Sequence, residues 1–369
     1  MRIPFIDIAS SYRQTRRDIQ RSLKRLFQDS DFVLGRDVRS FEEKFAQYVG
    51  SPYALGVNSG TDALFLGLKA FGAGSGDEVI VPAYTYIASA FAVSYTGARP
   101  VFVDIDDRTF NLDPSRLEAA VTKRTKAIMP VHLYGQSADM DPILRVARKH
   151  GLKVIEDAAQ AHGTRYNDKM AGSVGDIGAF SFYPTKNLGA FGDAGMIVTG
   201  QKALYEKIHK LRDYGRTARY EHDSFGYNSR LDSVQAVFLN AKLKKLDAWN
   251  GGRADAAGYY RQFLGDIPGV LLPQEAGYGR HVYHIFAIRV KNRDKILDGL
   301  TKSGISVMVH YPVPLHLQKV YKSLGYKRGD FPVAEKICKE VLCLPIYPQI
   351  TKNQVAFVCR QIQRLMKNG

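Results

Sequence analysis

Residues 79–105 read VIVPAYTYIASAFAVSYTGARPVFVDI. Two apolar, largely β-branched runs, Val79–Pro82 and Val101–Ile105, flank the segment Thr85–Thr96, which has a helical pattern. Runs as apolar as these predict strands covered on both faces. A strand–helix–strand order predicts parallel pairing through a crossover. The same alternation continues outward. Thr61–Phe71 predicts a helix with Leu64, Leu68 and Phe71 on one face and a stop at Gly72. Pro114–Val121 and Met140–His150 predict two more helices, and Ala127–Val131, Leu152–Ile155, Ala179–Tyr183 and Met196–Thr199 four more strands. The fold class is therefore α/β, with a mostly parallel central sheet flanked by helices. In such sheets, ligands bind beyond the carboxyl ends of the strands.

Farther along, the pattern changes. Ser233–Trp249 predicts a long helix, with Asn250-Gly251-Gly252 as its stop. Val282–Val290 and Ile305–Val309 predict strands; Asp294–Ser303, Pro332–Val341 and Asn353–Met366 predict helices. A chain of 369 residues exceeds one simple core. The expected division is a large domain over residues 1–249 and a smaller α+β domain over 250–369. A helix near Tyr12–Phe27 packs on one of the two.

Composition narrows the class. At 45% hydrophobic and 24% charged, the chain reads as a soluble globular protein. No run approaches the ~18 apolar residues of a membrane span, and MRIPFIDIAS has no apolar core of a secretory signal. Cys338, Cys343 and Cys359 form no CxxC pair, against a disulfide framework or zinc site. These features predict a cytoplasmic protein. The net charge of +16 first suggests nucleic acid. Its carriers, however, fall on the expected outer faces of helices, as in Arg16, Arg17, Arg21, Lys24 and Arg25, or Lys242, Lys244 and Lys245. A solvated basic surface would also draw a polyanionic small substrate. His132, His162, His310 and His316 lack HExxH-type spacing, so no metal is expected. Gly72, Gly74 and Gly76 follow a helix and precede a strand, the reverse of a dinucleotide fingerprint.

Four features carry chemistry. In SFYPTKNLG (181–189), Lys186 follows an apolar strand and precedes a glycine-rich loop. Desolvation there would lower its pKa, and a neutral amine can form a Schiff base. Asp157, in VIEDAAQAHG (154–163), stands just past a buried strand. Such a carboxylate either caps the next helix or pairs with a cation, for which the protonated ring nitrogen of pyridoxal phosphate (PLP) is suited. NSGTDAL (58–64) leads into a helix whose first turn could hold a phosphate, with Gly60 allowing close approach and Ser59 and Thr61 adding hydroxyls; any capped helix could share that composition. Tyr86 lies just past a strand, either to stack on a flat cofactor or to fill the core.

Together with VPAYTYIASA (81–90), GYNSRLDSVQA (226–236) and HYPVPLHLQ (310–318), these motifs resemble the DegT/DnrJ/EryC1/StrS family of sugar aminotransferases over nearly the whole chain. The resemblance implies a fold-type-I PLP enzyme, a homodimer with active sites shared between subunits. It implies that Lys186 carries the cofactor, Asp157 pairs its ring nitrogen, Gln160 lies at its ring hydroxyl, and Tyr86 stacks on the ring. Gly60, Thr61 and Ser181 would hold the phosphate, and Asn228 would reach it from the neighbouring subunit. Tyr183, Arg230, His310 and Tyr311 follow as substrate contacts. The implied reaction is ping-pong: L-glutamate leaves its amino group as pyridoxamine phosphate (PMP), and a nucleotide-linked keto-sugar takes it up, with Lys186 as general base. RTARYEH (216–222) followed by GYNSRLD resembles members acting on dTDP- or UDP-linked 3-keto sugars. The alternatives are 4-keto-sugar and aminocyclitol substrates. A dehydrating branch of the family has histidine in place of the lysine, which Lys186 argues against; a regulator of the same fold would not need Lys186, Asp157 and Gln160 together.

Overall fold

The computed structural model describes residues 1–367. Its centre is a seven-stranded sheet of β1 (Tyr53–Val57), β2 (Glu78–Pro82), β3 (Arg99–Val103), β4 (Thr125–Ile128), β5 (Lys153–Asp157), β6 (Ile177–Ser181) and β7 (Gly195–Thr199). The spatial order is β1-β7-β6-β5-β4-β2-β3. β3, β2, β4, β5 and β6 pair in parallel, while β7 runs antiparallel to both β6 and β1. The reversal of β7 brings its amino end, Gly195, level with Val57 and Ser181. One edge of the sheet thus collects six carboxyl ends and the start of β7.

Alternate strand residues enter different cores, as the two-residue period requires. Val79, Val81, Ile155, Ala179 and Ile197 are buried on one face. Ile80, Val103, Ile128 and Val154 are buried on the other, continued by Phe180, Met196 and Val198. On the first face, α3 (Gly60–Ala70) packs on β6 and β7 beside α4 (Ile87–Tyr95) and α7 (Lys202–Leu211). On the second lie α2 (Arg36–Val49), α6 (Met140–His150) and α8 (Ser233–Leu243). The expected N-terminal helix, α1 (Ile8–Asp29), packs on α8. Pro114–Val121 resolves into a 3₁₀ turn and a single helical turn, α5 (Leu117–Ala120).

The expected stop at Asn250-Gly251-Gly252 is overturned. The break falls instead at Lys244-Lys245, and α9 (Leu246–Leu264) runs through the glycines. Close approach explains Gly252, where a Cβ would lie 2.4 Å from the Pro348 carbonyl oxygen; a Cβ on Gly251 would meet nothing within 4 Å. Beyond α9, the strands β8 (Val270–Leu271), β9 (Phe286–Val290) and β10 (Val341–Leu344) form an antiparallel sheet. It is covered by α10 (Arg293–Lys302) and α12 (Lys352–Lys367), with α11 (Pro332–Glu340) facing the large sheet's core. Ile305–Val309 is no strand; it makes only single bridges, Ile3 to Ile305 and Met308 to Cys343. We propose that the division at 249/250 separates two cores rather than two helices. Trp249 donates from Nε1 to Gln14 of α1, whereas Ala257, Tyr260 and Leu264 of the same helix belong to the second core.

Candidate active site

At the collecting edge of the sheet lies a cavity of about 430 Å³. Gly60, Thr61, Tyr86, Asp157, Gln160, Ser181, Tyr183, Lys186, His310 and Tyr311 all line it.

One wall is the turn from β1 into α3. Ser59 caps the helix, its Oγ accepting from Asp62 N at 3.0 Å. The first-turn N–H groups of Gly60 and Thr61 lack helical acceptors, as at any helix start, and suit an anion. The turn is seated without slack. A Cβ on Gly60 would lie 2.5 Å from Ser181 Cβ, and one on Gly195 would lie 2.2 Å from the Ser59 carbonyl oxygen.

A second wall is the end of β5. Asp157 is buried; Oδ2 accepts from Ser89 Oγ at 2.7 Å and Oδ1 from Ala159 N at 3.1 Å. Burial pushes its carboxyl above the usual range, against these hydrogen bonds and the charge of Lys186. Gln160 is held from both sides: Oε1 accepts from Tyr134 N at 2.8 Å, and Nε2 donates to Tyr311 Oη at 3.0 Å. Lys186 follows β6 on the loop that returns to β7. Burial lowers its amine to about 8, opposed by the Asp157 carboxylate. Its neutral fraction near neutral pH is thus far larger than that of an exposed lysine, as a Schiff-base lysine needs.

The segment carrying His310 and Tyr311 closes the far side. The His310 carbonyl accepts from the hydroxyls of Tyr84 and Tyr134. Burial, then the charge of Lys186, lowers the His310 imidazole to about 4, so it is neutral. Tyr86 and Tyr311 face each other with ring centroids 5.8 Å apart. Tyr86 is 56% exposed and Tyr183 52%, so both are available to a ligand and neither is a core aromatic.

Two expected residues lie elsewhere. Asn228 is exposed, in a backbone bridge to Asp213, and Arg230 pairs with Asp213 at 3.0 Å; neither lines this cavity. Lys242, expected on an outer face, is instead buried. It donates to the Gly189 carbonyl at 2.5 Å and lies 3.7 Å from the Phe191 ring centroid. Ser89, Thr185, Asp193 and His284 line the cavity without having been foreseen. Ser89 had a signal, because it lies in the first turn of the helix that follows Tyr86. His284 had none, since the second core supplies it.

The residues present fit PLP. Gly60 and Thr61 offer N–H groups to a phosphate, Asp157 is a buried carboxylate lacking a bonded cation, and Lys186 is a desolvated amine. A model of the DegT/DnrJ/EryC1/StrS aminotransferase family matches residues 13–363. The chain belongs to that family. Three relatives are each 45% identical to this aminotransferase. One is a dTDP-3-amino-3,4,6-trideoxy-alpha-D-glucose transaminase of Streptomyces venezuelae, with 96% of this chain and 93% of the relative covered. Another is a UDP-N-acetyl-3-dehydro-alpha-D-glucosamine 3-aminotransferase of Acidithiobacillus ferrooxidans, with 99% and 98% covered. The third is named a pleiotropic regulatory protein, of Geobacillus stearothermophilus, with 100% of both covered. The crystal structure of S. venezuelae DesV in complex with a ketimine intermediate superposes with a TM-score of 0.96 at 44% identity, covering 98% of both chains. Among the described residues, no helix is long and apolar enough to cross a membrane, and no three His, Cys, Asp or Glu side chains cluster as a metal site.

Proposed function

We propose that this family member is a PLP-dependent transaminase moving an amino group from L-glutamate to a nucleotide-linked 3-keto-hexose, with Lys186 as the cofactor lysine and general base. The observation that carries this reading is the meeting of Lys186, Asp157 and the Gly60–Thr61 turn in one cavity. PLP supplies an aldehyde that condenses with amines and a ring that withdraws electrons when its nitrogen is protonated. The chain's residues do the rest. Asp157, oriented by Ser89 and Ala159, holds the proton on that nitrogen. Gly60, Thr61 and Ser181 would hold the phosphate, Gln160 the ring hydroxyl, and Tyr86 would stack on the ring; all line the cavity. With PLP bound, Lys186 would hold the cofactor and, as the general base, would move the proton of the donor's α-carbon. Tyr183, His310 and Tyr311 face the sugar.

The two relatives named for 3-amino products carry different nucleotides. They support the 3-keto position and leave dTDP and UDP to the assay. Turnover of a panel of 3-keto and 4-keto sugar nucleotides decides it: preference for a 4-keto sugar would reject the assignment. A purely regulatory role, as one relative's name suggests, would not require these three groups in one cavity.

We further propose a homodimer in which Asn228 and Arg230 serve the other subunit's site. Their place outside their own cavity supports this, as does the adjacent hairpin, where Tyr220 is 83% and Phe225 98% exposed. The three thiols are buried and free, consistent with the cytoplasm we assign.

A further inference from the structure

The stretch Ser59-Gly60-Thr61-Asp62 has the form of a capping box. In a closed box the N-cap hydroxyl accepts from the N–H three residues on, and the side chain there returns to the N-cap N–H. Only the first half is made here: Ser59 Oγ accepts from Asp62 N at 3.0 Å. Asp62 Oδ2 accepts instead from Ser229 Oγ at 2.7 Å. The same Ser229 oxygen accepts from Asn58 N at 3.3 Å. A hydroxyl has one hydrogen and a carboxylate only accepts, so that hydrogen is committed to Asp62. The consequence falls on Ser59. Among the described residues its N–H has no acceptor. Ser59, Gly60 and Thr61 all line the cavity, and Asp62 does not. Ser229 is itself held in place. It is 2% exposed, while Asn228 before it is exposed. Its N–H donates to the Arg212 carbonyl at 2.9 Å, and Arg212 Nη1 donates to the Gly56 carbonyl at 2.8 Å. Tyr227 packs edge-on against Phe65 of α3, with ring centroids 4.9 Å apart.

We propose that Ser229 is a positioning residue that keeps this capping box open: by drawing Asp62 aside, it leaves three consecutive N–H groups, those of Ser59, Gly60 and Thr61, to a phosphate. The inference rests on the reading of this turn as the phosphate site for PLP. Without the Ser229 hydroxyl, Asp62 has no other side-chain donor among the described residues. The Ser59 N–H is then the donor that a side chain at this position ordinarily takes. A closed box would remove one of the three N–H groups. It would also set a carboxylate against the phosphate at the same helix end, where both compete for the positive end of the dipole.

The test titrates PLP, and pyridoxal as the ligand without a phosphate, into full-length protein and its variants by absorbance. Ser229→Ala should lose about 10- to 150-fold in PLP affinity, the range for one charge-assisted hydrogen bond. Its pyridoxal affinity should barely change. Asn58 is exposed, so water can replace the bond its N–H loses. Asp62→Ala should bind PLP about as wild type does. The double variant Ser229→Ala/Asp62→Ala should recover most of the loss, because no carboxylate is left to close the box. A merely structural role for Ser229 would leave the loss in the double variant, or spread it equally over both ligands; either result overturns the proposal. So does unchanged PLP affinity in Ser229→Ala. A second measurement does not depend on that variant's folding. In wild-type protein without cofactor, the Ser59 amide should exchange its hydrogen rapidly, and inorganic phosphate should slow the exchange; an amide already protected before phosphate is added overturns the proposal as well. Failure of the phosphate reading would look different, since wild type itself would then bind PLP no tighter than pyridoxal.

Discussion

Substituting Gly60 with alanine tests the phosphate end of the site. The new Cβ would sit 2.5 Å from Ser181 Cβ and 3.1 Å from Ser181 Cα. Neither is the end of a flexible side chain, so the start of α3 or the end of β6 must move. Restoring contact distance needs a shift of about 1 Å, and overpacking of this kind costs about 1–3 kcal/mol of stability. The same shift stretches an N–H···O bond from about 2.9 Å to about 3.9 Å, beyond hydrogen-bonding range. Losing one charge-assisted bond removes about 1.5–3 kcal/mol, so PLP affinity should fall about 10- to 150-fold. Cofactor titration by absorbance measures this, with pyridoxal, which has no phosphate, as the control. Pyridoxal affinity should barely change. Equal loss for both ligands, or unaltered PLP affinity, would refute the assignment of this turn to the phosphate.

Lys186→Ala should abolish transamination while leaving the thermal midpoint near that of wild type; normal turnover would remove Lys186 from the mechanism. In wild-type protein without cofactor, labelling of Lys186 should rise through about pH 8, since only the neutral amine reacts. Between about 8 and the unfolded value of 10.5, the unfolded chain binds the extra proton, so this group adds stability as pH rises through that window. A labelling profile centred near 10.5 would contradict the desolvation described here. Glu156→Gln should destabilise by about 1.5–3 kcal/mol, the worth of a hydrogen bond to a charged group. Its carboxylate accepts from the backbone N–H groups of Gly172, Val174 and Gly175 at 2.6–2.7 Å and meets His132 Nε2 at 2.8 Å; an unchanged denaturant midpoint would show that these bonds are worth little. Mixing inactive Lys186→Ala and Asn228→Ala subunits should regain activity at roughly a quarter of the sites, because half the dimers then hold one intact site. No recovery would place Asn228 outside the shared site.

The large sheet was legible because its strands obey a simple rule. Val79 and Val81 enter one core while Ile80 enters another, so this strand is apolar on both faces. β1 escaped notice because YALGV is short and interrupted by Gly56, which is there because Leu231 packs on it; a Cβ would lie 2.7 Å away. The glycines of α9 look like a stop only when the chain is read locally. At Gly252, packing against Pro348 outweighs the cost to the helix. Lys242 reads as surface by charge, yet burial over Phe191 and a bond to Gly189 give it a place under the lysine loop. In the site, Lys186, Asp157 and Gly60 announced themselves by following strands. His284 could not, because the second core brings it to the cavity. Asn228 and Arg230 lie outside the cavity of their own chain, and the role proposed for them needs a second copy.

The measurement that bears most directly on the central claim is the visible spectrum of the protein with PLP, before and after L-glutamate. A band from cofactor joined to Lys186, lost as glutamate converts it to PMP, is the predicted result. A folded protein that forms no such band would contradict the account at its centre, because Lys186 would then not hold the cofactor.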